Sequence, residues 1–70
     1  MACTGNACDA FQLTWDGGCH VVHNISQRRI RVAVGAFSNV IAPGQAWRIV
    51  GLDGHCVQII IGSTIANYVD

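Results

Sequence analysis

Residues 29–34 read Arg29-Ile30-Arg31-Val32-Ala33-Val34. Ile30, Val32 and Val34 fall on one face of an extended chain and the arginines on the other, the alternation of a strand with one dry side. The same period appears to either side. Upstream, Phe11, Leu13 and Trp15 alternate with Gln12 and Thr14, and Cys19, Val21, His23 and Ile25 share a face across residues 19–25. Downstream, Val40-Ile41 reads as a short strand and residues 45–50 as another, with Trp47 and Ile49 opposed to Arg48. Residues 55–61 are apolar on both faces, as a doubly covered strand would be. Residues 64–69 read as a final edge strand.

The breaks between these runs carry turn chemistry. Asp16-Gly17-Gly18 and Asp53-Gly54 supply the positive φ that tight hairpins need, and Pro43-Gly44 suits the centre of a type II turn. Ser26-Gln27-Arg28 is a polar turn, and Gly35 to Asn39 is read as a break. The run from Ile41 to Val50 resembles the strand, Pro-Gly turn, strand element of many β-sandwich proteins, a likeness of ten residues that carries no chemistry. Six to seven short strands with turns every 8–12 residues predict an all-β fold, a small antiparallel β-sandwich or barrel with no substantial helix. The expected organisation is one β domain over residues 1–70, with residues 1–9 as an irregular, cysteine-containing N-terminal loop.

Composition agrees with that reading. The chain has 70 residues, of which 51% are hydrophobic and only 11% charged, and its charges are four arginines and four aspartates without a lysine or glutamate. Lys and Glu populate the solvent faces of helices, so their absence argues against an amphipathic surface helix. A formal net charge of zero makes nucleic acid an unexpected partner, since that calls for clustered Lys/Arg and a high pI. It also gives little colloidal repulsion and favours a homo-oligomer or a protein or glycan partner. No apolar run approaches the ~20 residues of a membrane-spanning helix. Residues 1–9 show neither the basic nor the apolar region of a signal peptide, which leaves an intracellular chain or a mature secreted form. The secreted one is expected if the cysteines are bonded.

A chain this short buries only about 60% of the surface it exposes when unfolded, so its core calls for a staple. The four cysteines, Cys3, Cys8, Cys19 and Cys56, allow three pairings. The favoured one joins Cys19 to Cys56, both at strand starts beyond glycine turns, and Cys3 to Cys8 within the N-terminal loop. The alternative is zinc held by Cys19, His20, His55 and Cys56, a set of suitable ligand types. His20 and His23 would point to opposite faces of one strand and could not chelate together.

No catalytic set assembles. A thiol nucleophile needs a base within reach, and His55 and Cys56 are strand neighbours that face opposite ways. Binding is the better expectation, by a non-enzymatic, self-associating module that recognises a macromolecule or glycan. Trp15, Trp47 and Tyr68 are candidate anchors, as are Arg28, Arg29 and Arg31 around one turn, because aromatics and arginine dominate binding hot spots. Both tryptophans lie on the apolar phases of their strands and are expected in the core. Asn24-Ile25-Ser26 also fits the glycosylation acceptor pattern.

Overall fold

In a computed structural model, residues 3–57 and 64–69 of the chain are described. They form β1 (Cys3–Thr4), β2 (Phe11–Asp16), β3 (Cys19–Asn24), β4 (Ile30–Val34), β5 (Phe37–Ile41), β6 (Ala46–Arg48) and β7 (Thr64–Tyr68), and no helix occurs among the described residues. One sheet has the order β1-β7-β4-β5 and the other β2-β3-β6. All pairings are antiparallel except β1 with β7. Phe11 and Val22 from the smaller sheet share a buried cluster with Ile30, Val32, Val34, Ile41 and Ala66 from the larger one. The chain is therefore the small, all-β, two-sheet domain that the alternation predicts.

Several boundaries differ from the sequence reading, each for a physical reason. Only Gly35-Ala36 breaks the chain after β4. Val34 pairs with Phe37, and Gly35 takes a φ of 60°, which closes a two-residue hairpin and extends β5 back through Ser38 and Asn39. The strand at residues 45–50 shortens to Ala46–Arg48, and Val50 instead makes an isolated bridge to Cys56. The expected strand at residues 55–61 falls largely outside the described residues.

β7 is an interior strand, because β1 adds to its far side: Cys3 pairs with Thr64 and Thr4 with Ile65. The N-terminal loop is accordingly not wholly irregular. Its backbone follows β7 closely, with the Ala7 amide donating to the Ala66 carbonyl at 3.0 Å. The Asn6 side-chain oxygen accepts from the Tyr68 amide at 2.9 Å, and the Asn6 amide donates to Asn67 Oδ1 at 3.2 Å. Gly5, at a φ of 106°, has no room for a β-carbon, which would run into the Ala66 carbonyl oxygen.

β3 presents two covered faces. Val22 points into the common core, whereas Cys19 and Val21 lie on the face away from it and are buried all the same. Cys19, Val21 and His23 share that face as expected, and there His23 Nε2 lies 3.0 Å from Thr14 Oγ1. At the core-facing end of β3 stands Asn24, 2% exposed. Its Nδ2 donates to the Arg28 carbonyl at 2.8 Å and the Ile41 carbonyl at 2.9 Å. Its Oδ1 accepts from the Ser26 amide and hydroxyl at 2.9 and 2.6 Å. Every hydrogen-bonding position on the amide that this turn needs is filled, which is what makes burying it tolerable.

Both favoured cystine pairs are present, Cys3–Cys8 with Cα atoms 5.9 Å apart and Cys19–Cys56 with Cα atoms 5.0 Å apart. The first closes a loop of sequence separation 5 and the second one of 37. In the chain-entropy account the longer loop contributes about 4 kcal/mol and the shorter about 2 kcal/mol. Replacing Cys19 and Cys56 together by serine should therefore lower the urea midpoint further than replacing Cys3 and Cys8, and the reverse order would refute this ranking. Asn24→Ala removes four side-chain hydrogen bonds from a buried junction and should cost about 2–4 kcal/mol, against about 1 kcal/mol for Ser26→Ala. Thermal melts decide the point, and an Asn24→Ala chain that melts with the wild type would show that the amide is not a structural joint.

Candidate functional site

The structure distributes the sequence-predicted binding residues between the two ends of β3. Trp15 pairs with His20 near its start, while Arg28, Arg29 and Tyr68 gather beyond its end, past Asn24. The two groups therefore form no single site.

Trp15 is the departure from expectation. It has the same parity as Phe11 and Leu13, yet cover thins along the strand: Phe11 is 7% exposed, Leu13 half-buried and Trp15 62% exposed. Alternation reports which face a residue takes and not how far the opposing layer extends over it. The indole is not loose, however. The His20 ring meets it edge to face, centroids 4.6 Å apart and planes at 84°, an arrangement that aromatic quadrupoles favour. Trp47, opposite Val22 on β6, is half-buried against the core as expected.

The Cys19–Cys56 bond brings a second exposed element to this end. Cys19 pairs with Asp16, the neighbour of Trp15, and Cys56 bridges Val50. Between them the chain turns at residues 51–54, where the Gly51 amide donates to the His55 carbonyl at 2.8 Å and Asp53 Oδ1 accepts from the His55 amide at 3.1 Å. Val50 and Leu52 on this hairpin are both exposed, Leu52 completely so. Arg48 lies 3.5 Å from Asp16 with both side chains largely in water, a pair worth at most about 1 kcal/mol.

At the other end the Arg28 guanidinium stacks over the Tyr68 ring, 4.2 Å from its centroid. Arg28, Arg29 and Arg31 are all exposed. The Asn24 amide holds the turn that carries the first two, through its bond to the Arg28 carbonyl. That contact also reinterprets the Asn24-Ile25-Ser26 triplet. Both Nδ2 hydrogens are engaged and the side chain is buried, so the folded chain has no place for a sugar there. The triplet is an Asx turn, the local bond that Asn makes to backbone two residues on. This was the one structural role hidden behind a modification motif.

Cys19 and Cys56 spend their sulfurs on each other, so the zinc alternative with His20 and His55 applies only to a reduced chain. Among the described residues no group of three or more His, Cys, Asp or Glu side chains gathers in the way a metal ion requires. His20 faces Trp15 and His23 faces Thr14, on opposite sides of β3, as the strand geometry predicts.

The two tryptophans should separate cleanly in fluorescence quenching. Iodide is expected to quench Trp15 and spare Trp47, so Trp15→Phe removes the quenchable emission and Trp47→Phe leaves it. Quenching that disappears with Trp47 instead would contradict the assigned exposures. No protein-family model matches this chain, and no curated protein or solved structure matches it either, so its site is defined by its own geometry.

Proposed function

We propose that the chain is a non-enzymatic binding module that docks on a protein or glycan surface with Trp15 as its anchor. The observation that carries this reading is the 62% exposure of Trp15 on an ordered strand. Leaving a large indole in water forgoes roughly 2–3 kcal/mol of burial that a 70-residue domain could use. Such a side chain is also what binding hot spots are made of.

The frame favours binding as well. Trp15 lies on a six-residue strand hydrogen-bonded to β3, its ring rests against His20, and the next pair in the ladder contains the cross-linked Cys19. A rigid anchor loses little conformational entropy when it docks, which is how preorganisation raises affinity. In the oxidised form no cysteine offers a thiol for nucleophilic chemistry. The exposed apolar residues and zero net charge also favour self-association, in which a second copy would cover the Trp15 end.

Trp15→Ala tests the proposal directly, because an exposed side chain can be removed with little effect on folding. The variant should keep the wild-type melt and lose binding across a panel of immobilised neutral oligosaccharides and protein surfaces, with a loss of at least about tenfold in affinity for whichever is bound. Sedimentation of both chains over a concentration series detects the self-associating case, in which the variant shifts to monomer. Unchanged ligand binding and unchanged sedimentation in a folded Trp15→Ala chain would dismiss Trp15 as the anchor.

A further inference from the structure

The arginines at the far end of β3 form a second, separate surface. Arg31 lies in β4 and Arg29 one residue before it, two positions apart, so they share the solvent face of the larger sheet with backbones about 7 Å apart. Among the described residues neither has a carboxylate within ion-pair distance, the one such pair being Arg48 with Asp16. Across the sheet Arg31 is flanked by Asn67 on β7 and Val40 on β5, neither of them charged. The Arg28 guanidinium stands off this face, over Tyr68, which pairs with Ile30 on the core side of the sheet. The backbone beneath is fixed: the Asn24 amide and the Ser26 hydroxyl both bond the Arg28 carbonyl, and the Arg29 carbonyl accepts from the Val69 amide. Three of the chain's four arginines thus sit on one prepared stretch, although the whole molecule is neutral.

We propose that Arg29 and Arg31 form a docking face for an acidic polysaccharide. Guanidinium forks pair with planar or tetrahedral oxyanions through two parallel hydrogen bonds, so carboxylate and sulfate groups both suit them. A linear sugar polymer that carries anions at intervals can meet arginines spaced along a strand while both surfaces stay wet. A protein partner would want a dry, apolar centre, and the exposed Val40 and Ile65 on this face stand to either side of Arg31 and Asn67, which keep its middle polar. A nucleic acid would gain little from a neutral protein without a lysine, since its affinity grows with the number of phosphates neutralised. This surface is distinct from the Trp15 anchor, and the proposal stands whether or not Trp15 binds anything.

The test uses the intact, oxidised chain on immobilised polygalacturonate, dextran sulfate, neutral dextran and a single-stranded oligonucleotide. The wild type is expected to bind at least one of the two acidic polysaccharides, to ignore neutral dextran, and to be released by salt. Preference for polygalacturonate or dextran sulfate then identifies carboxylate or sulfate as the group recognised. Arg29→Gln/Arg31→Gln should melt like the wild type and bind at least about tenfold more weakly. Arg29→Lys/Arg31→Lys, which keeps the charge and loses the fork, should fall between them. Trp15→Ala should bind as the wild type does. The proposal is overturned if neither acidic polymer binds, if neutral dextran or the oligonucleotide binds as tightly, or if the glutamine variant binds unchanged. Loss of polysaccharide binding in Trp15→Ala would overturn it too, by moving the site to the other end of β3.

Discussion

The buried amide of Asn24 connects more of this molecule than any other group. Its side chain ties the turn at residues 26–28 to the end of β5, and its backbone extends the same junction. The Asn24 amide donates to the Gln45 carbonyl, its carbonyl accepts from the Gly44 amide, and the adjoining Ile25 amide donates to Ala10. The start of β2, the end of β3, the Pro43-Gly44 turn and the end of β5 therefore meet at one residue. Strands of two different sheets cannot bond each other through their ladders, so some polar group must span the gap at the edges. Asn24 does so with donors and acceptors matched to four partners. A hydrophobic side chain in its place would forfeit all four of those hydrogen bonds at once, at about 0.5–1.5 kcal/mol each.

The sulfurs act where that junction does not reach. Cys19–Cys56 fastens the hairpin at residues 50–56 to the opposite end of β3, and Cys3–Cys8 pins the loop that lays β1 along β7. Polar closure at one end of β3 and covalent closure at the other leave the middle to a modest apolar cluster of mostly small aliphatic side chains. Such a division suits a chain too short to hold itself by burial alone. It also explains why both ends can present exposed side chains on firm backbone. Trp15 stands one pair from the cystine, and Arg28 and Arg29 stand directly on the Asn24 turn.

Much of this was legible in the residues. The alternation at Ile30, Val32 and Val34 named the face those side chains bury, and glycine turns placed Cys19 and Cys56 in equivalent positions from which the cross-link followed. What escaped was information that periodicity does not contain. β3 is covered on both faces, so its apolar residues could not show which face met the core. β1 is two residues long, too short for any pattern, and without it β7 looks like an edge. Trp15 has the parity of a core residue and lies where the opposing layer ends. The exposure of that one indole depends on the relative placement of the sheets, a property of packing. Asn24 was visible only as part of a modification motif, because the same Asn-x-Ser spacing that marks a sugar acceptor also folds into an Asx turn.

Net charge shows the same limitation in another form. A sum of zero argues against strong long-range steering, and that argument holds at distances where the molecule looks like a point. It says nothing of arrangement at a few ångströms. Here Asp16 lies beside Arg48 at the Trp15 end, and the other three arginines stand together around the turn that Asn24 secures. With a Debye length near 8 Å in physiological salt, a ligand touching that turn responds to the charges arranged around it more than to their sum over the molecule. The absence of lysine sharpens the effect, because each positive group is a fixed planar fork and not a mobile point charge. A chain with few charges can therefore be neutral overall and still offer two surfaces of different chemistry, one aromatic and one cationic, at the two ends of a single strand.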